Sequence, residues 1–189
     1  MTARPGILGR IRRFFSAAAP GVVNVAAGGL PVLDDQLQRA ARADAAAEAR
    51  AGGTATVEVA PPAPAALRIG YAPDRDGEPD AGEIVWTWVP YDEADGRGKD
   101  RPVLVIARQD EDRVYAVRLT SKAHDGDRDY LPIGTGDWDS RGRPSWVDVE
   151  QIFSVHRNGM RREAAALELE RFVRVADALH RRHGWDVGN

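Results

Sequence analysis

The run Pro102-Val103-Leu104-Val105-Ile106-Ala107 limits the fold of this chain more than any other feature. Six consecutive residues without a polar side chain are too few for a helix, and the run reads as a strand covered on both faces. Gln109-Asp110-Glu111-Asp112 follows as a polar hairpin turn. Arg113 to Leu119 then sets Val114, Ala116 and Arg118 against Tyr115, Val117 and Leu119, the alternation of an antiparallel partner. Upstream, Ile84, Trp86 and Trp88 alternate with Val85, Thr87 and Val89 until Pro90, which gives a first strand. Tyr130 to Ile133 and Trp146 to Val155 supply further strand material, separated by a loop with Gly134, Gly136, Gly142 and Pro144. Glu163 to His183 carries Leu169, Phe172, Val173, Ala176 and Leu179 on one side and stops at Gly184, as a helix does. Short strands at this spacing with one closing helix predict a mainly β fold (α+β), a small barrel or sandwich on which the helix packs.

The residues before Gly82 lack that patterning. Residues 1–20 hold Arg4, Arg10, Arg12 and Arg13, no acid, and Ile7, Leu8, Ile11, Phe14 and Phe15 on one helical face, a short basic amphipathic segment. Contact with a membrane surface is one use of such a segment; a partly helical tail is the alternative we rank higher, and the segment is too short and too charged to span a bilayer. Residues 21–81 have the composition of a linker rich in Ala, Pro and Gly. A helix is expected over 33–50, Ala60-Pro61-Pro62-Ala63-Pro64 should be extended, and Asp74 to Asp80 is a turn-rich lead-in. The expected domain therefore runs from 82 to 185.

Composition narrows the chemistry. The chain has no cysteine, so disulfide scaffolds and thiolate metal sites are excluded, and no histidine or carboxylate cluster has metal-ligand spacing; no metal and no cofactor is expected. A net charge of −3 over 189 residues argues against coating nucleic acid through global attraction, so any RNA binding has to come from a local basic stripe. A cytoplasmic location is the expectation, since no secretory signal is evident.

Four motifs occur in order: Gly82-Glu83-Ile84-Val85-Trp86, Lys99-Asp100-Arg101-Pro102, Leu119-Thr120-Ser121-Lys122, and Ser145-Trp146-Val147-Asp148-Val149-Glu150. Together they resemble the MazF/PemK family of toxin endoribonucleases from type II toxin–antitoxin systems, from about Gly82 to about Gly184. The resemblance implies an SH3-like barrel with a C-terminal helix, working as a homodimer. It also implies an mRNA interferase that cuts single-stranded RNA without metal, the ribose 2′-hydroxyl attacking its own phosphate. A cognate antitoxin protein would hold it inactive, and operator DNA would be met only through the antitoxin complex.

That reaction needs an acceptor for the 2′-proton, donors for the phosphorane charge and an acid for the leaving oxygen. Arg101 matches the family's arginine before proline, and its fork of donors suits a phosphorane better than proton abstraction. Thr120 and Ser121 match the family's hydroxyl pair and can donate to phosphate oxygens. Antiparallel pairing of their strands would bring Arg101 and Thr120 to one rim of the sheet. Lys122 lies beside them, while Arg97 and Lys99 fall in the loop that corresponds to the family's substrate-gating loop; all three are candidate phosphate contacts. His124 is the histidine of that neighbourhood and joins the catalytic candidates as a possible proton carrier, an exposed loop histidine being the alternative. Trp138 is a candidate base-stacking residue in a loop, Gly134 to Ser145, that looks expanded, whereas Trp146 reads as core. His156 stands where an aspartate is common in the family.

Two readings compete with catalysis. The same barrel serves in gyrase-poison-like binding toxins that cut nothing, and a degenerate interaction module would keep the fold while its recognition depended on residues 1–81.

Overall fold

The computed structural model describes residues 53–74, 76–91 and 97–188. The basic segment 1–20, the helix expected over 33–50 and most of the gating loop lie outside them. The strands are β1 (Val57–Val59), β2 (Arg68–Ile69), β3 (Glu83–Pro90), β4 (Gly98–Arg108), β5 (Arg113–Thr120), β6 (Tyr130–Gly134), β7 (Ser145–His156), β8 (Met160–Ala166) and β9 (Asp186–Val187), and the helix is α1 (Leu169–His183). Seven strands form one sheet in the order β1-β7-β5-β4-β3-β8, with β6 beside β1 on the same edge of β7; β2 and β9 pair separately in parallel.

The apolar run is a strand because both of its faces are needed. Val103 and Val105 join Val85, Val89, Val114, Ala116, Phe153 and Val155 in one buried cluster. Leu104 and Ile106 point the other way, into a cluster with Ile84, Val117, Leu119, Ile152 and the inner face of α1, namely Phe172, Val175, Ala176 and Leu179. With side chains alternating at period two, no polar residue fits between Val103 and Ala107. The fold is thus the mainly β class with one C-terminal helix that the sequence predicts. The pairing path among the described residues is open at β8 and at β1/β6 and does not close into a ring. The sheet nevertheless curls. Thr56, just before β1, lies 2.6 Å from Thr87 on β3 at the far side of the strand order, and Thr87 in turn donates to the Gly159 carbonyl at 2.8 Å. Both threonines are buried, so the bond joins the two margins where a sheet would otherwise splay.

Three expectations are corrected. The linker assigned to 21–81 does not hold for 53–81. Leu67 and Ile69 are buried in the helix-side core, Tyr71 donates to the Leu167 carbonyl at 2.9 Å, and the buried Trp185 indole donates to the Pro62 carbonyl at 2.9 Å. Gly82, the expected start of the domain, has φ 102°, and a Cβ there would meet the Tyr71 ring at 2.7 Å; it is a seam inside the fold. Second, residues 163–166, expected to open the helix, belong instead to β8, which pairs with β3 across a bulge between Ile84 and Val85. Edge pairing overrides the helical preference of its alanines. Third, α1 is rotated from the expected stripe: Val175 is buried, and Leu169 and Val173 face solvent. Its end is as expected, with Gly184 in the left-handed region at φ 73° and its N–H on the His180 carbonyl.

Ile69→Ala tests the inclusion of residues 53–81 in the core. A fully buried isoleucine should cost about 2–4 kcal/mol, roughly 10 °C in thermal midpoint, whereas a linker residue would change stability by less than about 0.5 kcal/mol.

Candidate functional site

Strand β4 enters the sheet from solvent. Lys99 is exposed, Asp100, Arg101 and Pro102 are half-buried, and complete burial starts at Val103. Its ladder with β5 ends at the pair Val103–Arg118, beside Pro102, whose ring nitrogen carries no N–H. Extending that register by two residues sets Arg101 opposite Thr120. On their outer flanks Arg101 pairs with Thr87 of β3 and Thr120 pairs with Trp146 of β7. A cleft of about 330 Å³ opens where the ladder stops. It is lined by Lys99, Asp100, Arg101, Pro102, Leu119, Thr120, Ser121 and Lys122 from the two strand ends, by Trp86 of β3, and by Trp138, Asp139, Arg143 and Ser145 from the loop before β7 and its first residue.

Of the residues selected from sequence, Arg101, Thr120, Ser121, Lys99, Lys122 and Trp138 are thus brought together. Arg97 and His124 are not among the lining residues. His124 stacks on Tyr130 with ring centroids 3.6 Å apart and lies 3.5 Å from Asp127. Trp138 is only 4% exposed and its indole N–H donates to the Ser145 hydroxyl at 3.1 Å, which makes it a wall of the cleft and leaves little ring face for a base. Trp146 is core, as expected. His156 caps the turn Arg157–Gly159, its Nδ1 accepting the Asn158 N–H at 3.0 Å. The imidazole there does the work of a capping carboxylate.

Sequence reasoning passed over Trp86, Asp100, Asp139, Arg143 and Ser145. The β3–β4 register locates Trp86 opposite Pro102, and the four-residue spacing of Asp139 and Arg143 is the signal for that ion pair.

The electrostatics favour an anion. Four cations, Lys99, Arg101, Lys122 and Arg143, line the cleft against two carboxylates, and each carboxylate is engaged: Asp100 by Arg161, which also lies 6.0 Å over the Trp86 ring, and Asp139 by Arg143 at 2.8 Å. The Thr120 hydroxyl oxygen accepts the Lys122 N–H at 3.2 Å, so its own proton remains available to a ligand. Beside this strand end, Arg118 donates to Asp148 at 2.7 Å and to the Tyr130 hydroxyl at 3.3 Å, with the Arg118 and Asp148 side chains 12% and 3% exposed. Burial works to lower the Arg118 pKa, but the charge and hydrogen bond of Asp148 outweigh it and hold the guanidinium protonated above its usual range. Burial, then the Asp148 charge, raise the Tyr130 phenol. The second Asp148 oxygen accepts the Glu150 and Gln151 N–H groups at 3.0 and 3.2 Å. Among the described residues, no group of three or more His, Asp or Glu is placed to hold a metal ion, and no helix is long and apolar enough to cross a membrane.

Residues 80–182 match a family model described as PemK-like, MazF-like toxin of type II toxin–antitoxin system. No curated protein matches the chain. Solved structures similar to it include an endoribonuclease in complex with its cognate antitoxin from Mycobacterial species, at 16% identity over 57% of this chain and 96% of that one, TM-score 0.44. The Mycobacterium tuberculosis toxin MazF-mt6 is 18% identical over 55% and 98%, TM-score 0.41. MazE–MazF from Deinococcus radiodurans gives 21% over 56% and 96%, TM-score 0.44.

Asp148→Asn keeps the acceptor for the two backbone N–H groups and removes the charge under Arg118. It should cost about 3 kcal/mol, and a double change to Arg118→Met and Asp148→Leu should recover most of it, because the loss lies in the uncompensated guanidinium. Tyr130 adds an alkaline limit. Below the unfolded phenol pKa of about 10 both states keep the proton and stability is level; as pH rises toward the raised folded value the unfolded chain ionises first and stability falls. Denaturant titrations from pH 8 to 11 should show that fall in the native chain and a smaller one in Tyr130→Phe.

Proposed function

Because the chain belongs to the PemK-like, MazF-like toxins of type II toxin–antitoxin systems, we propose that it is an endoribonuclease that cleaves single-stranded mRNA without a metal ion and is held inactive by a cognate antitoxin. The observation that supports this reading is a cationic cleft at the end of the β4–β5 ladder, whose lining includes Arg101, Thr120 and both lysines of the chain.

The chemistry follows from the groups in place. A ribose 2′-oxygen forms a bond to the adjacent phosphorus, the P–O5′ bond breaks, and the products are a 2′,3′-cyclic phosphate and a free 5′-hydroxyl. Charge accumulates on the equatorial oxygens of the phosphorane, where the Arg101 guanidinium supplies charge-assisted donors and the Thr120 proton a neutral one. Arg101 also gives a proton to the departing O5′ and regains one from water. Solvent is the acceptor at hand for the 2′-proton, both carboxylates of the cleft being held by arginines, and no histidine lines it. Ser121, Lys99 and Lys122 hold flanking phosphates, and because backbone contacts of this kind carry no base information, sequence preference has to come from elsewhere in the groove. The toxin acts as a homodimer, and operator DNA is met only through the antitoxin complex.

Cleavage of an RNA oligonucleotide, with end groups identified by mass, decides the matter. Arg101→Ala should lower the rate about a hundred- to thousandfold and Thr120→Ala about tenfold. His124→Ala should stay within about threefold of the native rate, as expected of a ring outside the cleft. Activity should persist in excess EDTA. Growth inhibition that survives Arg101→Ala, with no RNA cut by the native chain, would establish the binding-toxin reading instead.

A further inference from the structure

The loop between β6 and β7 is a built element. Trp138 and Ser145, both buried, close it through their 3.1 Å hydrogen bond. Within it Asp139 accepts the Arg141 N–H on one carboxylate oxygen at 2.8 Å and the Arg143 Nε–H on the other at 2.8 Å, and the Gly142 N–H returns to the Asp139 carbonyl at 2.8 Å. Gly142 turns the chain at φ 63°, and Gly136 lies so close under the Trp138 ring that a Cβ would stand 2.0 Å from it. The result is an arginine whose stem is fixed by a carboxylate that is 9% exposed while its own side chain remains 50% exposed at the cleft.

The pairing engages Nε only. Neither terminal nitrogen of Arg143 has a hydrogen-bond partner among the described residues. By contrast, three arginines of α1 are committed to protein: Arg171 to the Ile133 and Thr135 carbonyls, Arg174 to the Pro132 carbonyl, and Arg182 to Asp129 and Glu150. A guanidinium gripped by Nε and offering its two terminal amino groups at a cleft is arranged for bidentate contact with a phosphate.

Building on the endoribonuclease reading above, we propose that Arg143, oriented by Asp139, is a second phosphate anchor of the cleft, gripping an RNA phosphate that flanks the one being cleaved. Asp139 acts through Arg143 as a positioning residue. Fixing the side chain before binding lowers the entropy lost when the strand docks, which an unattached surface arginine would have to supply. Bound this way, a strand would be pinned on one side by the loop before β7 and on the other by Lys99 and Lys122, with its scissile phosphate between them at Arg101 and Thr120.

The test uses the full chain, a cleavable RNA oligonucleotide and its analogue with deoxyribose at the cut site, over a series of salt concentrations. For Arg143→Gln, affinity for the analogue should fall about tenfold and the slope of log affinity against log salt should shrink by about 0.7, one phosphate contact on a single strand. The KM should rise while kcat holds. Arg143→Lys should restore the slope and only part of the affinity, since it keeps the charge without the fork. Asp139→Asn should weaken binding with the slope unchanged, because the cation is still present but no longer aimed. If the native chain cuts the RNA and binds the analogue, but Arg143→Gln changes neither affinity nor slope, the anchor is refuted and the nuclease reading stands. If the native chain neither cuts nor binds, both fall. A purely structural role for the pair would lower the melting midpoint of Arg143→Gln and leave the salt slope alone, and that result also overturns the proposal.

Discussion

Burial of β4 on both faces is the constraint from which the rest of this fold follows. A sheet whose central strand shows valines on one side and Leu104 and Ile106 on the other needs two covers, and a short domain has few elements to provide them. The helix α1 covers one face. Curling covers the other, bringing β3, β5 and β7 around the valine cluster, and the segment before β1 ties the curl by the hydrogen bond between Thr56 and Thr87. Arg113 strengthens that tie, donating to the Gly53 carbonyl at 2.6 Å. The same demand explains the buried Trp185, which fills the gap between helix, β2 and the Pro62 segment and cannot do so without a carbonyl for its indole N–H.

The site lies where this two-sided burial stops. One residue past Val103 the strand no longer has a core on each side, the ladder to β5 lapses, and the side chains of Arg101 and Lys99 meet water along one edge of a cleft. A binding site at the frayed end of a rigid sheet inherits the positional precision of the sheet while leaving polar groups accessible. The pair of Arg118 and Asp148 extends the same logic into the protein. It is a buried charge pair beside the strand end, and its guanidinium stays charged through the physiological range.

How much of this was legible depends on whether neighbours in sequence carry the signal. The run Pro102 to Ala107, the polar turn after it and the alternation through Leu119 speak locally, so β3, β4, β5 and the rim holding Arg101 and Thr120 were readable. Leu67 and Ile69 are two apolar residues in a background of alanine and proline, and only a partner more than a hundred residues away, β9, makes a strand of Arg68 and Ile69. The stretch 160–166 has helix-forming residues and becomes a strand because β3 offers a free edge. The position of His124 was readable but its surroundings were not: the ring of Tyr130, six residues on, takes the histidine away from the cleft. Arg143 escaped notice for a similar reason, since in a Gly- and Pro-marked loop an aspartate and an arginine four apart look like ordinary solvated charges until Trp138 and Ser145 are seen to close the loop.

A chain with a net charge of −3 thus makes a cationic site by disposing of acids as much as by gathering bases. Asp100 is taken by Arg161 from β8, Asp139 by Arg143, and Asp148 by Arg118, each partner coming from a different element of the fold. The cations that line the cleft are Arg101, the two lysines and Arg143. Because the neutralising contacts are short-range and partly shielded, while the uncommitted lysines are exposed, salt should act on the attraction of a polyanion more strongly than on the architecture that presents it. The overall charge of the chain says little about its partner for that reason; the sign that matters is set within one Debye length of the cleft, by which carboxylates the sheet has already occupied.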